Sequence, residues 1–523
     1  MGVFLNPGNE GFATALRSRY VDKTGLIGVV NKTLDTSDKL TCISRPRRFG
    51  KSYAAQMLCA YYDKSCDSAP LFNHLEISKS ETYQTYLNRF DVLYVDMTGV
   101  IGEAAPEEMI PFLKRNLLSE IMEQYPSAKN EETFVGALVK AVEEAGNKFI
   151  MIIDEWDAPI REFKDNAAFQ KEYLDFLRLL FKNSGITNRV FAAAYMTGIL
   201  PIKKDGTQSA VSDFKEYTMI DPGGYGEYIG FTESEVKALC EDYQAVFTMM
   251  KTWYDGYEFQ DVGAIYNPNS VMLALERKRF SSYWIETSAA SALKTYIQYD
   301  YDGLSRTIAE LIGGIDAGVD TTGFANDLVT FRGRDDILTL LIHLGYLGYD
   351  TETQSVRIPN EEIRLEFSKA VREDGNAETI RRLQESDQLF LDTIEGREDA
   401  VAAQIEKVHA EETNPMHYNR EDSLRSVIKL AYYTYKNHYL QWEELPAGIG
   451  YADVVYLPKK ESNYPALVVE LKWNQSAESA IEQIKDRNYP AVLDGYDSRL
   501  LLVGISYDTS TKVHSCKIEW WEK

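Results

Sequence analysis

Leu40-Thr41-Cys42-Ile43-Ser44-Arg45-Pro46-Arg47-Arg48-Phe49-Gly50-Lys51-Ser52 is a short apolar run that breaks into a basic loop and ends in Gly-Lys-Ser. About a hundred residues later, Phe149-Ile150-Met151-Ile152-Ile153-Asp154-Glu155 is a second apolar run, closed by two acids. Together they read as the two halves of a phosphate-binding loop. In such a loop, backbone N–H groups at a helix N-terminus cradle phosphates, a lysine reaches the terminal phosphates and a hydroxyl holds magnesium. Gly50, Lys51 and Ser52 supply that ending. A carboxylate from the second strand, Asp154, shares the magnesium with Ser52, and the next acid, Glu155, is placed to polarise water. Arg47 and Arg48 add two guanidinium groups suited to phosphate oxygens. The usual pattern opens on glycine where this chain has Arg45, so the loop is expected to take an altered shape. The plain alternative is a buried strand capped by a solvated acid pair; the helix-like run Ser52–Leu58 directly after the loop favours the nucleotide site.

Outward from this pair, strands are expected at Leu40–Ser44, Val92–Met97, Phe149–Asp154 and Val190–Thr197, with an amphipathic helix at Phe169–Lys182. Apolar strands alternating with helices predict an α/β core whose mainly parallel sheet is covered on both faces. Met196-Thr197-Gly198 would bring a hydroxyl to the edge where phosphates sit, with Thr197 either touching the terminal phosphate or simply capping its strand. Asp22-Lys23-Thr24, Asp157 and Arg161 could touch nucleotide or a neighbouring subunit, but each reads better as part of a solvated helix entry with local ion pairs.

At 523 residues the chain exceeds one core. Four segments are expected: a P-loop domain over 1–275, a helical and winged-helix-like segment over 276–372, a helical connector over 373–414 and a last α/β domain over 415–523. Thr232 with Glu235 is a capping box, and the aromatic clusters around Trp253–Tyr257 and Tyr266–Ser270 read as core or interface. A helix at Asp335–Leu347, two short strands and a helix from Glu361 resemble a winged helix, better suited by its acids to protein docking than to DNA. A formal net charge of −24 opposes general adhesion to phosphate backbones. Five cysteines without CxxC spacing indicate neither a disulfide framework nor a zinc site. No run approaches a membrane span, so no membrane partner is expected and the cytoplasm is the expected location.

The far end carries a second constellation. Leu424, Val427, Ile428, Ala431, Tyr432 and Tyr435 mark a helix face, followed by strand-like runs at Tyr439–Leu445, Ala452–Leu457, Ala466–Trp473 and Leu500–Ile505. Strand alternation turns Glu470 and Lys472 the same way, and a hairpin would bring Asp453 opposite Glu470. Two carboxylates beside an ammonium suit a divalent cation and a positioned water, the equipment of phosphodiester hydrolysis. Gln483, on the following helix, could turn toward the same place, with Tyr489 just beyond. The alternative is a cross-strand ion pair on a solvated sheet; apolar residues on both faces of the strand favour the site.

Asp22-Lys23-Thr24, the Arg45–Ser52 loop, Ile153-Asp154-Glu155-Trp156-Asp157 and Tyr195–Ile202 together resemble the bacterial AAA-ATPase-like family. Its members often carry a C-terminal PD-(D/E)XK nuclease-superfamily domain, whose pattern Gly448-Ile449-Gly450-Tyr451-Ala452-Asp453, Val469-Glu470-Leu471-Lys472 and Gln483 match. The family shares the Arg-Pro-Arg-Arg-Phe-Gly-Lys-Ser form of the loop. The resemblance implies a P-loop ATPase core, a winged-helix segment and a restriction-endonuclease-like α/β domain. It implies ATP at Arg47, Arg48, Gly50, Lys51, Ser52, Asp154 and Thr197, and Mg2+ at Ser52 with Asp154. At the second site it implies Mg2+ or Mn2+ at Asp453 with Glu470. The catalytic set is then Glu155, Asp453, Glu470, Lys472 and Gln483. The expected activity is ATP-regulated nucleic-acid cleavage, DNA ahead of RNA, with a protein partner or a homo-oligomer as further partners. The alternative is an ATP-binding switch whose last domain only docks nucleic acid or a protein.

Overall fold

The computed structural model describes residues 2–182, 184–202, 204–205, 208–209, 211, 213–284, 303–374, 377–412, 424, 427–428, 431–432, 439–447, 450–458, 464–486 and 500–521. Tyr435, Gly448, Ile449 and Tyr489 lie outside these residues. The chain divides into two compact units, residues 1–291 with 318–366, and residues 292–317 with 367–523. Among the described residues, no helix is long and apolar enough to cross a membrane.

The first unit is built on one parallel sheet. Its strands are β1 (Leu40–Ser44), β2 (Asp91–Asp96), β3 (Phe149–Asp154), β4 (Phe191–Gly198) and β5 (Lys215–Tyr217), in the order β2-β3-β4-β1-β5. β1, β3 and β4 are buried at every residue. That is why their sequences are continuous apolar runs without alternation. Phe149, Met151 and Ile153 join a core with Leu113 and Leu117 of the helix Pro106–Gln124 and Leu177 of the helix Ala167–Phe181. Ile150 and Ile152 turn the other way, and the helix Lys51–Tyr62 packs on β2, β3 and β4. Helices therefore cover both faces, as the alternating pattern requires. β4 lies between β1 and β3, with Ile43 opposite Thr197 and Ile153 opposite Met196. The carboxyl ends of all three strands thus reach one edge, the place where open α/β sheets take ligands.

Smaller elements complete this unit. Thr232 accepts from the Glu235 N–H while the Glu235 side chain accepts from the Thr232 N–H, the capping box legible in the sequence, starting the helix Glu233–Tyr243. The strands Phe231–Thr232, Gly263–Tyr266 and Tyr257–Phe259 form a small antiparallel sheet. The helix Arg334–Leu344 ends at Gly345 with φ of +83°, where a Cβ would lie 2.7 Å from Pro46 Cγ. Only glycine combines the left-handed cap with so close an approach to the phosphate loop. The paired strands Gly348–Asp350 and Ser355–Arg357 follow, then the helix Glu361–Asp374, whose residues as far as Glu366 belong to this unit.

The second unit has a mixed sheet of β6 (Tyr439–Ala447), β7 (Gly450–Pro458), β8 (Ala466–Trp473), β9 (Leu500–Asp508) and β10 (Val513–Trp520), in sequential order. β8 and β9 are parallel and the other neighbours antiparallel. A parallel pair needs a crossover, and the helix Ala477–Asp486 lies within it. Val455, Leu457, Val468 and Leu502 pack on Ile481 and Ile484 of that helix, while Val454, Tyr456, Val469 and Val503 form the opposite core. The polar stretch read as a connector, 373–414, sends Leu389, Phe390, Val401 and Ile405 into that opposite core. Its helices are amphipathic, so their apolar stripes are thin against many charges.

Glu362, 1% exposed, accepts hydrogen bonds from the Ser270 hydroxyl at 3.0 Å and the Tyr283 N–H at 2.7 Å, holding the chain at Ser281–Trp284. Burial pushes its carboxyl up to about 7. A raised folded-state value favours the protonated acid. This contribution to stability is present in full below the ordinary value of 4.5 and is lost as pH rises through about 7. The shift corresponds to about 3 kcal/mol. In Glu362→Gln, calorimetric unfolding should lose that part of the decline between pH 5 and pH 8 and show a smaller difference in melting temperature than the parent.

Candidate nucleotide site and a second carboxylate cluster

The loop between β1 and the helix Lys51–Tyr62 bends through two left-handed residues, Arg48 at φ +67° and Gly50 at φ +95°. Arg45 does not enter the phosphate cradle. It is fully buried, donating from Nη1 to the carbonyls of Ser44, Tyr217 and Thr218 at 2.9, 3.2 and 2.8 Å, with its guanidinium 4.9 Å from the Phe259 ring centroid. The missing glycine is thus replaced by a brace that ties the base of the loop to the end of β5.

Lys51 is 4% exposed and donates to the Arg45 and Pro46 carbonyls at 3.1 and 3.0 Å, with Glu155 Oε1 3.4 Å away. These acceptors occupy the ammonium that phosphates would otherwise take. Asp154, 3% exposed, is held by the hydroxyls of Thr197 and Ser52. Burial raises its carboxyl above the ordinary range, and those hydroxyls oppose the rise. The Glu155 N–H reaches Thr197 Oγ1 at 3.2 Å and Asp154 Oδ1 at 3.1 Å. Thr197, on the strand between the two motifs, therefore spends its hydroxyl on fixing both acids.

The two loop arginines share the wall of a small cavity, and Arg48 also reaches a larger one. Arg48 donates to the Tyr283 carbonyl at 3.0 Å and lines a cavity of about 510 Å3 with Phe49, Gly50, Lys51, Ser52, Tyr53 and Glu155. Arg47 lines a smaller neighbouring cavity beside Ile199 and Trp284, and Glu155, Glu162 and Asp157 oppose the lowering that burial imposes on its guanidinium. Lys23 also faces the large cavity but bonds Glu235 Oε2 and the Glu227 carbonyl, both at 2.6 Å. Asp22 closes a turn on Thr24.

The cavity's remaining wall had no mark in the sequence. It is formed by Tyr20, Val21, Met57 and Phe231, and by Asn269, Met272, Leu273 and Glu276, one face of the helix Pro268–Arg277. Volume and lining suit a nucleoside with its phosphates on the loop. Ordinary apolar residues contributed by distant segments carry no local motif; the 269, 272, 273, 276 spacing identifies a helix face and nothing more.

In the second unit, Val454 pairs with Val469, which brings Asp453 beside Glu470. Asp453 Oδ2 accepts the Leu471 N–H at 2.9 Å. Lys472 Nζ lies 3.4 Å from Glu470 Oε1 and 2.5 Å from Gln483 Oε1, and Gln483 Nε2 donates to Glu470 Oε1. Glu470 is 3% exposed and, among the described residues, its Oε2 has no hydrogen-bond partner. Burial, then the charge of Asp453, pushes its carboxyl up to about 7 against the pull of Lys472. A buried acceptor without a donor, beside a second carboxylate, suits a cation. Among the described residues no three or more His, Cys, Asp or Glu side chains gather as a metal cluster, so a cation here would rest on two carboxylates.

Residues 14–208 match the family described as a predicted AAA-ATPase, AAA-ATPase-like. The match ends well before Asp453. Over 280 residues the chain is 25% identical to an uncharacterized protein in the vnfD 5′ region of Azotobacter chroococcum mcd 1, covering 52% of this chain and 51% of that protein. The chain therefore spans about half the length of the curated relative it matches. Two solved structures align with 70% of this chain and 98% of their own: Cdc6p from Pyrobaculum aerophilum, at 12% identity and a TM-score of 0.26, and the Aeropyrum pernix ORC2 protein in ADPNP–ADP complexes, at 14% and 0.29.

Replacing Thr197 by valine removes both hydroxyl bonds at constant volume and leaves buried Asp154 short of a donor. The cost is about 1–3 kcal/mol, read as a lower melting temperature. Magnesium-dependent nucleotide affinity, followed by isothermal titration, should fall about tenfold through the loosened Asp154.

Proposed function

We propose that the first unit binds and hydrolyses ATP and that the second is a divalent-cation-dependent nuclease whose cleavage is regulated by nucleotide. The observation that carries the first part is the cavity walled by Arg48–Ser52 and Lys51, with Ser52 already bonded to Asp154 at its floor. Lys51 would exchange the Arg45 and Pro46 carbonyls for phosphate oxygens, and Ser52 with Asp154 are the residues that would hold Mg2+. Bound there, Mg2+ would neutralise charge building on the phosphates. Glu155 takes the proton of the attacking water, and the apolar wall keeps bulk water from the nucleoside.

For the second part, the support is the convergence of Asp453, Glu470, Lys472 and Gln483 around one unpartnered carboxylate oxygen. Asp453 and Glu470 would hold Mg2+ or Mn2+, which would supply an acidified water and charge stabilisation at phosphorus. Lys472 holds a proton at Nζ for orienting that water, and Gln483 fixes Lys472 and Glu470 together. Nucleic acid, DNA ahead of RNA, is the substrate class, and a protein partner or a second copy of the chain remains part of the proposal.

A second reading has one observation in its favour. Glu470 Oε1 is already engaged by Gln483 and Lys472, and its carboxyl sits near 7, so the pair is a weak cation site at neutral pH. The unit would then only dock nucleic acid or protein. Manganese titration separates the two: the nuclease reading expects binding that disappears in Glu470→Gln, the docking reading expects none.

Lys51→Ala should lower ATP affinity by a factor of about 100 or more, measured by titration. Asp453→Ala should leave that affinity unchanged and lower magnesium-dependent cleavage of DNA at least about 1,000-fold. A wild-type chain that cuts no single- or double-stranded DNA or RNA, with or without ATP, in Mg2+ or Mn2+, removes the nuclease reading.

A further inference from the structure

Glu155 adopts a left-handed backbone, φ +52°, and its two carboxylate oxygens meet different cations. Oε1 faces Lys51 at 3.4 Å and Oε2 accepts from Arg161 Nη2 at 2.6 Å. Arg161 is itself pinned: its Nε donates to Asp157 Oδ2 at 3.0 Å, and that oxygen also accepts the Ile199 and Leu200 N–H groups, at 3.1 and 2.9 Å, just past the end of β4. Asp157 is fully buried and the Arg161 side chain is 10% exposed, so neither is a solvated surface pair.

We infer that Arg161 is a positioning residue for ATP hydrolysis, holding one oxygen of Glu155 so that the other alone is presented to the attacking water. The inference rests on the ATPase reading of the first unit. The asymmetry of the two partners is the argument. Lys51 is a phosphate ligand by its place in the loop, so phosphates that draw it forward release Oε1. Arg161 has no such competing task; Asp157 ties it to the sheet edge, and its hold on Oε2 persists. A carboxylate held through one oxygen by a rigid guanidinium keeps a single orientation, whereas a free glutamate at a left-handed position would lose it among rotamers. In the step itself the water oxygen bonds to the γ-phosphorus, and the bond from that phosphorus to the bridging β,γ-oxygen breaks with its electron pair going to ADP. The water proton passes to Glu155 Oε1.

The test uses the full chain with Mg2+ and ATP. Glu155→Gln should lower kcat about 100-fold or more. Arg161→Met should lower kcat about 10- to 100-fold while leaving KM for ATP and the ATP dissociation constant within about threefold. Arg161→Lys, which keeps the charge but reaches one carboxylate at a time, should fall between the parent and the methionine variant; if Arg161→Met does not fold, its kcat loss at constant KM carries the test. On a Glu155→Gln background, Arg161→Met should cost nothing further, because the group it positions is gone. An Arg161→Met enzyme with kcat within about twofold of the parent overturns the inference, as does an equal loss in both backgrounds. A wild-type chain that binds ATP yet turns over none removes the ATPase reading itself, a result distinct from either.

Discussion

Asp154 is a carboxylate placed at 3% exposure at the end of a strand buried on both faces, and that single burial organises the first unit's edge. An ionisable group taken out of water is tolerated only where donors surround it. They include the hydroxyls of Thr197, Ser52 and Tyr94 and the N–H of Glu155, drawn from β4, the helix after the loop, β2 and the residue after β3. None of these is a sequence neighbour of all the others. Only the strand order β3-β4-β1 brings them within reach, because β4 stands between the two motifs and delivers Thr197 to their junction.

The loop beside it spends its basic groups on backbone carbonyls. Lys51 satisfies itself on its own loop's carbonyls, and Arg48 on the carbonyl of Tyr283. The same Tyr283 offers its N–H to Glu362, and neighbouring Ser282 donates to Glu366. The segment Ser281–Trp284 is therefore held from one side by the phosphate loop and from the other by a helix carrying two buried acids.

The second unit solves a related problem with less. Glu470 is as deeply placed as Asp154, but Gln483 and the Lys472 ammonium both serve the same oxygen, and Asp453 adds a like charge while its backbone N–H opposes the rise. Its carboxyl consequently lies near neutrality. Two acids thus lie side by side in an apolar sheet, and among the described residues one oxygen of the deeper acid has no hydrogen-bond donor.

Much of this was legible in residues alone. Largely apolar runs marked β1, β3 and β4 because a strand buried on both faces favours apolar side chains throughout, and Thr232 with Glu235 marked a helix start because that bond pattern is local. Gly-Lys-Ser after β1 and Asp-Glu after β3 stood out for the same reason, each being a short motif at the end of an apolar run. Arg45 turning inward as a brace, Arg48 lining both cavities while Arg47 lines the smaller, the helix face at Asn269–Glu276 and the Arg161 hold on Glu155 were decided only by tertiary structure. Each depends on which distant segment arrives beside it. The polar helices between 377 and 412 belong with these: their apolar stripes are too thin to read as core until the sheet they cover is present. Local hydrogen bonding and burial periodicity are written along the chain, whereas partners supplied by strand order and packing exist only once it has folded.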